Sequence, residues 1–155
     1  MNDAIFTLTD AATVATGLMA GVYFIYAVAI MPGLRRLDDD RFVAAFQATD
    51  RAIINPVFLV AFVAPMALCG IAAFTEQDVP GYRWLVAALA LNASIVAITM
   101  AVNVPLNDAL KARGDVAGPD ATSARQAFHE GRWVACNWLR TVANFWALVC
   151  LTIVG

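Results

Sequence analysis

Asn137, Arg140, Thr141 and Asn144 fall on one face of a helix near the end of this chain, stacked over two turns at about 100° per residue. A cation and two amides reaching into an apolar stretch are costly unless they meet partners. They are not needed to hold helices together. Arg140 stands two residues past Trp138, so it is open to two readings: a site residue, or a side chain snorkelling to lipid headgroups. Asn144, a turn deeper, cannot snorkel and is expected to hydrogen-bond across helices. Two further asparagines sit in Asn103-Val104-Pro105-Leu106-Asn107, where Pro105 predicts a turn or kink. His129 is the only histidine and so the only side chain with an ordinary pKa near neutrality. On a continuous helix it would lie about 16 Å from Arg140, unless Gly131 bends the chain. Its readings are a proton acceptor or a solvated surface group. Asn55 reads as the N-cap of a helix begun by Pro56, as a ligand contact, or as both. A pocket of Asn, Arg, Thr and His at one end of an apolar bundle suits a lipophilic small molecule with one or two oxygens.

The elements that must position these residues are membrane spans. Hydrophobic residues make up 61% of the 155 residues and charged residues 14%, with a mean hydropathy of +0.70, far from a soluble composition. Apolar stretches cover residues 11–31, 57–74, 84–102 and 138–154. Each has about the length a helix needs to cross a bilayer. Gly17, Gly21 and Gly70 permit close helix packing. The fold expected is all-α: a transmembrane antiparallel four-helix bundle forming a single domain over 1–155. A short amphipathic interfacial helix follows the first span, capped by Asp38, Asp39 or Asp40 and carrying Phe42, Phe46, Thr49 and Ile53 at helical spacing. Pro65 is expected to kink the second span. After Gly114, Gly118 and Pro119, a helix from Thr122 or Ser123 is expected to run through His129 into the fourth span.

Nine of the ten basic residues flank the first and third connections, while Asp3, Asp10, Glu76 and Asp78 flank the other side. By the positive-inside rule, the expectation is a multi-pass protein of the cell membrane with both termini outside the cytoplasm. No basic residue precedes the first span, so no cleavable leader is expected. The lipid bilayer is the expected partner and nucleic acid is not, since the basic residues are interspersed with acids beside spans. A homo-oligomer stays open. Cys69, Cys136 and Cys150 lie in different helices without paired or metal-type spacing. No span contains Asp or Glu, which argues against a proton-coupled exporter. Phosphate loops, nucleophile elbows and zinc-protease motifs are absent.

The run Gly17-Leu18-Met19-Ala20-Gly21, with Tyr23-Phe24 and Met31-Pro32-Gly33, resembles the first span of the anthrone oxygenase family of small four-span membrane proteins. So do Asn55-Pro56-Val57-Phe58, the segment Asn103 to Asn107, and Trp133 with Asn137, Arg140 and Thr141. The resemblance covers nearly the whole chain in motif order. It implies oxidation of an anthrone-like polycyclic phenol by O₂ with no cofactor, neither metal nor flavin. In that implied chemistry Arg140, with Asn137 or Asn144, stabilises an enolate oxygen and His129 is the base. Asn55, Asn103, Asn107, Trp133 and Thr141 complete the substrate contacts. The alternative is a non-catalytic small-molecule-binding or accessory membrane protein on the same fold, because function resides in sites rather than folds.

Overall fold

The computed structural model describes residues 7–154, so Asp3 lies outside the described residues. Four helices are long and apolar enough to cross a membrane. The first, α1 (Leu8–Leu34), starts on a capping box in which Thr7 Oγ1 accepts from the Asp10 amide and Asp10 accepts from the Thr7 amide. A capped amphipathic helix, α2 (Asp39–Ile53), follows, with the Asp38 side chain accepting from the Arg41 amide at 2.9 Å. Next, α3 (Pro56–Thr75) opens on Asn55, whose Oδ1 accepts from the Phe58 amide at 3.0 Å, and it runs unbroken through Pro65. Gly81, at φ 89°, turns the chain into α4 (Tyr82–Lys111). Two helices complete the chain: α5 (Pro119–Ala127) and α6 (Glu130–Val154).

Packing closes the four long helices into a ring. α1 contacts α3 and α6, and α4 contacts α6 and α3. Outward-facing apolar side chains such as Val57 and Phe74 are about four-fifths exposed, at 80% and 79%. That surface is tolerable only against hydrocarbon. The protein is therefore an all-α multi-pass membrane bundle.

Helix α4 continues well past the stretch 84–102 expected from hydropathy, because the backbone accommodates Pro105 without breaking. A π turn spans Thr99–Asn103, and the Val104 amide reaches back to the Thr99 carbonyl. The same device recurs near the end of α1. A π turn at Tyr26–Ile30 brings the Met31 amide to the Tyr26 carbonyl, with Pro32 next. The wider turn relieves the clash that a proline ring makes with the preceding turn, so both helices extend beyond it.

Those extensions support a second core. Phe42, Val43 and Phe46 from α2 pack with Met31, Leu110, Ala124, Phe128 and Trp133. Gln47, 1% exposed, donates to the carbonyls of Leu110 and Gly114 and so fastens α2 to the end of α4. Asp39 accepts from the Thr122 hydroxyl at 2.7 Å, and this hydrogen bond with Arg125 alongside holds its carboxyl below the ordinary value. The expected continuous helix through His129 is interrupted. α5 ends at Ala127, and His129 has φ 51°, a left-handed conformation rare for a residue with a side chain. Its carbonyl accepts from the Arg132 and Trp133 amides and so begins α6. The break falls there and not at Gly131.

Phe46 meets the rings of Phe42, Phe128 and Trp133 at 6.1, 4.6 and 5.7 Å. Phe46→Ala is expected to destabilise this capping core by about 3–5 kcal/mol. Thermal unfolding in detergent measures the loss, and an unchanged melting temperature would mean the cap does not pack as a unit.

Candidate functional site

A cavity of about 300 Å³ opens where the two π turns meet α6 and the start of α3. Its wall is largely apolar and aromatic, with Tyr23 and Tyr26 from α1, Phe58 and Phe62 from α3, and Trp133 from α6. At its rim, Ile54, Leu59 and Met100 are 56%, 47% and 57% exposed. The mouth is thus edged by apolar side chains on the outer surface of the bundle.

Among the described residues, Arg140 is the one charged side chain on this wall. It is 6% exposed, so the guanidinium points inward instead of snorkelling. Nη2 donates to Asn137 Oδ1 at 2.9 Å and Nη1 to Thr99 Oγ1 at 3.1 Å. Thr99 can accept because its own hydrogen goes to the Ile95 carbonyl at 2.8 Å. The rings of Tyr23 and Trp133 lie 5.0 and 5.6 Å from Cζ, and their faces add cation–π attraction. Among the described residues no carboxylate pairs with Arg140, and its Nε has no hydrogen-bond partner. A buried cation with a free donor and no counter-ion is suited to receiving an anionic or strongly polar oxygen.

Asn137, 1% exposed, does double duty. Its Oδ1 accepts from Arg140, while its Nδ2 donates to the Tyr23 carbonyl at 3.1 Å and ties α6 to α1. Asn103, 2% exposed, donates from Nδ2 to the Trp133 carbonyl at 3.3 Å, and its Oδ1 is left without a partner. Both residues line the cavity, and each keeps one buried side-chain atom without a hydrogen-bond partner among the described residues, Nε of Arg140 and Oδ1 of Asn103. Asn107 also lines it and accepts from Trp133 Nε1 at 2.7 Å.

Of the residues singled out from sequence, the fold brings Asn103, Asn107, Trp133, Asn137 and Arg140 to this one cavity. Four others lie elsewhere. Asn55 is the N-cap of α3, its amide also donating to the Ala52 carbonyl. Thr141 turns its hydroxyl to the Asn137 carbonyl of its own helix at 2.8 Å. Asn144 is buried beyond the cavity wall, and its Oδ1 lacks the cross-helix partner expected for it. His129 is exposed at the α5–α6 break and does not line the cavity.

Sequence reasoning passed over Tyr23, Tyr26, Thr99 and Asp50. Thr99 had a signal, since Thr99, Asn103 and Asn107 recur every four residues and share a helix face. Asp50 had one too, four residues after Phe46 on the stripe that α2 buries. The two tyrosines look like ordinary span residues by spacing, Tyr23 standing out only within the Tyr23-Phe24 motif.

The anthrone oxygenase family model matches residues 42–150, more than half of the chain, and the chain belongs to that family. The match takes in α2 to most of α6 but not α1, the source of Tyr23 and Tyr26. No curated protein and no solved structure matches the chain.

Replacing a buried, unneutralised charge by an apolar side chain of similar length removes a desolvation cost. Arg140→Met is therefore expected to unfold in detergent at a temperature equal to or above that of the wild type. A fall of about 8 °C or more, on the order of 3 kcal/mol at this chain length, would instead make Arg140 a structural tie.

Proposed function

We propose that this member of the anthrone oxygenase family holds a flat, enolisable polycyclic lipophile as its anion in the cavity and lets O₂ oxidise it, with no cofactor. The observation that carries this reading is Arg140: a buried cation without a carboxylate among the described residues, with Nε unpartnered, on the wall of a largely apolar and aromatic cavity. An anthrone has an acidic methylene across the ring from its carbonyl. Charge placed on the carbonyl oxygen of its enolate is what a preorganised guanidinium stabilises best in a water-poor site. Asn137 and Thr99 hold the guanidinium, and Tyr23 and Trp133 cover its faces.

The reaction balances without an added reductant. The enolate gives an electron to O₂, and the radical pair joins at the former methylene carbon to form a C–O bond. The resulting peroxide loses its O–O bond, with the remaining C–H hydrogen leaving as a proton. One oxygen stays as the new carbonyl and the other departs as water. The methylene carbon loses four electrons and O₂ gains four.

No carboxylate or histidine lines the cavity. The protein's contribution is then to make the substrate a stronger acid by stabilising its anion, the proton passing from the methylene or its hydroxyl tautomer to water. His129 takes no part in this scheme. The same lack of a general base favours a second reading, in which the chain binds an anionic lipophile without turnover. The basic residues flanking α2 and α5 support an orientation with the cavity end in the cytoplasm and both termini outside, in the cell membrane.

Oxygen uptake by detergent-solubilised protein given an anthrone separates these readings. Uptake above the autoxidation rate is expected, falling about 100-fold or more in Arg140→Met, the scale of losing an oxyanion donor. His129→Ala is expected to keep the wild-type rate. Equal rates in wild type and Arg140→Met would remove Arg140 from the chemistry. Uptake no faster than autoxidation by folded protein would favour the binding reading.

A further inference from the structure

Asp50 is a carboxylate on the buried stripe of α2, 8% exposed, in a position that nothing above requires to be polar. One oxygen accepts from Asn107 Nδ2 at 2.6 Å, and the other faces Lys111 Nζ at 2.9 Å. The far side of the Asn107 amide accepts from Trp133 Nε1 at 2.7 Å. These partners leave Asn107 no choice of orientation. A carboxylate only accepts and an indole N–H only donates, so the amide nitrogen must face Asp50 and the amide oxygen must face Trp133. Among the described residues the second hydrogen on Nδ2 has no partner, and Asn107 lines the cavity.

Asn107 lies eight residues beyond Thr99, the residue to which Arg140 is bonded, or about 12 Å along a helix. Asn107 therefore lines the cavity about two turns of α4 away from the level at which Arg140 is held, with Trp133 between them. We propose that Asp50, acting through Asn107, fixes a hydrogen-bond donor at the pole opposite Arg140, so that the site takes a flat lipophile with an oxygen acceptor at each end. A six-membered ring bearing oxygens on opposite carbons, with a hydrogen bond of about 2.9 Å at each end, spans this separation. The inference rests on the proposed function for the Arg140 pole and adds the other one. There, Asn107 is the group that meets the oxygen gained in the reaction. Asp50 is a positioning residue: its charge-assisted bond holds the amide and strengthens the remaining N–H as a donor.

The test compares anthrone, with one carbonyl, and anthraquinone, with one at each end. Equilibrium binding to the purified full-length protein in detergent is measured under nitrogen. Wild type is expected to prefer anthraquinone over anthrone about five-fold more than Asn107→Leu does, the worth of roughly one hydrogen bond. Asp50→Asn is expected to lose most of that preference while binding anthrone as the wild type does. Trp133→Phe, which leaves the Asp50–Lys111 pair intact, is expected to lower it too. A preference that survives in Asn107→Leu overturns the proposal, as does an Asp50→Asn protein in which both probes weaken equally. If folded wild type binds neither probe, or Arg140→Met binds both undiminished, the Arg140 reading fails as well. Binding without discrimination sinks the second pole alone.

Discussion

A guanidinium buried without a carboxylate is the constraint around which this bundle is organised. Leaving Arg140 unsupported inside a membrane protein would cost several kcal/mol. The structure offsets that cost with groups from three helices at one level: Thr99 from α4, the ring of Tyr23 from α1, and Asn137 and Trp133 from α6 itself. Asn137 then reaches the Tyr23 carbonyl, so the group that steadies Arg140 also sets the approach of α1 to α6. Helix pairing in a membrane lacks the hydrophobic driving force available in water. Polar ties of this kind are what choose one packing among several of equal apolar area.

Two π turns make that level possible. Each is followed by a proline two residues past its end, and each belongs to a helix that continues into the capping region. The extra residue per turn shifts the helix face, so Thr99 reaches Arg140 while Asn103 and Asn107 still line the same cavity. The extended ends also give α2 and α5 something to pack on. Phe42, Phe46 and Phe128 close that cap, and Gln47 and Asp50 tie it to α4 through Leu110, Gly114, Asn107 and Lys111.

What the sequence disclosed follows from which signals are local. Hydropathy located four spans, Asn55-Pro56 announced a helix start, and the spacing from Asn137 to Asn144 found the polar face of α6. All of these depend on neighbours within a turn or two. The extent of α4 did not follow, because whether Pro105 ends a helix depends on a backbone bond from Val104 to Thr99 that no local pattern specifies. The separation of α5 from α6 did not follow either, since it turns on His129 adopting a left-handed conformation. Within the site, spacing grouped Asn137 and Arg140 with Thr141 and Asn144, yet only the first two line the cavity. Two residues on one face can still differ in depth and in which neighbour each meets.

The apolar rim of Ile54, Leu59 and Met100 carries a consequence for the concentration scale on which binding is expressed. For the lipophile proposed as its ligand, a mouth edged by such side chains would open to the hydrocarbon phase, where a molecule of that kind is concentrated by partitioning. The concentration that governs occupancy is then moles of ligand per mole of lipid or detergent, not moles per litre of buffer. Apparent affinities for this site scale with the amount of amphiphile present, and two preparations of identical protein become comparable only when expressed as surface mole fractions.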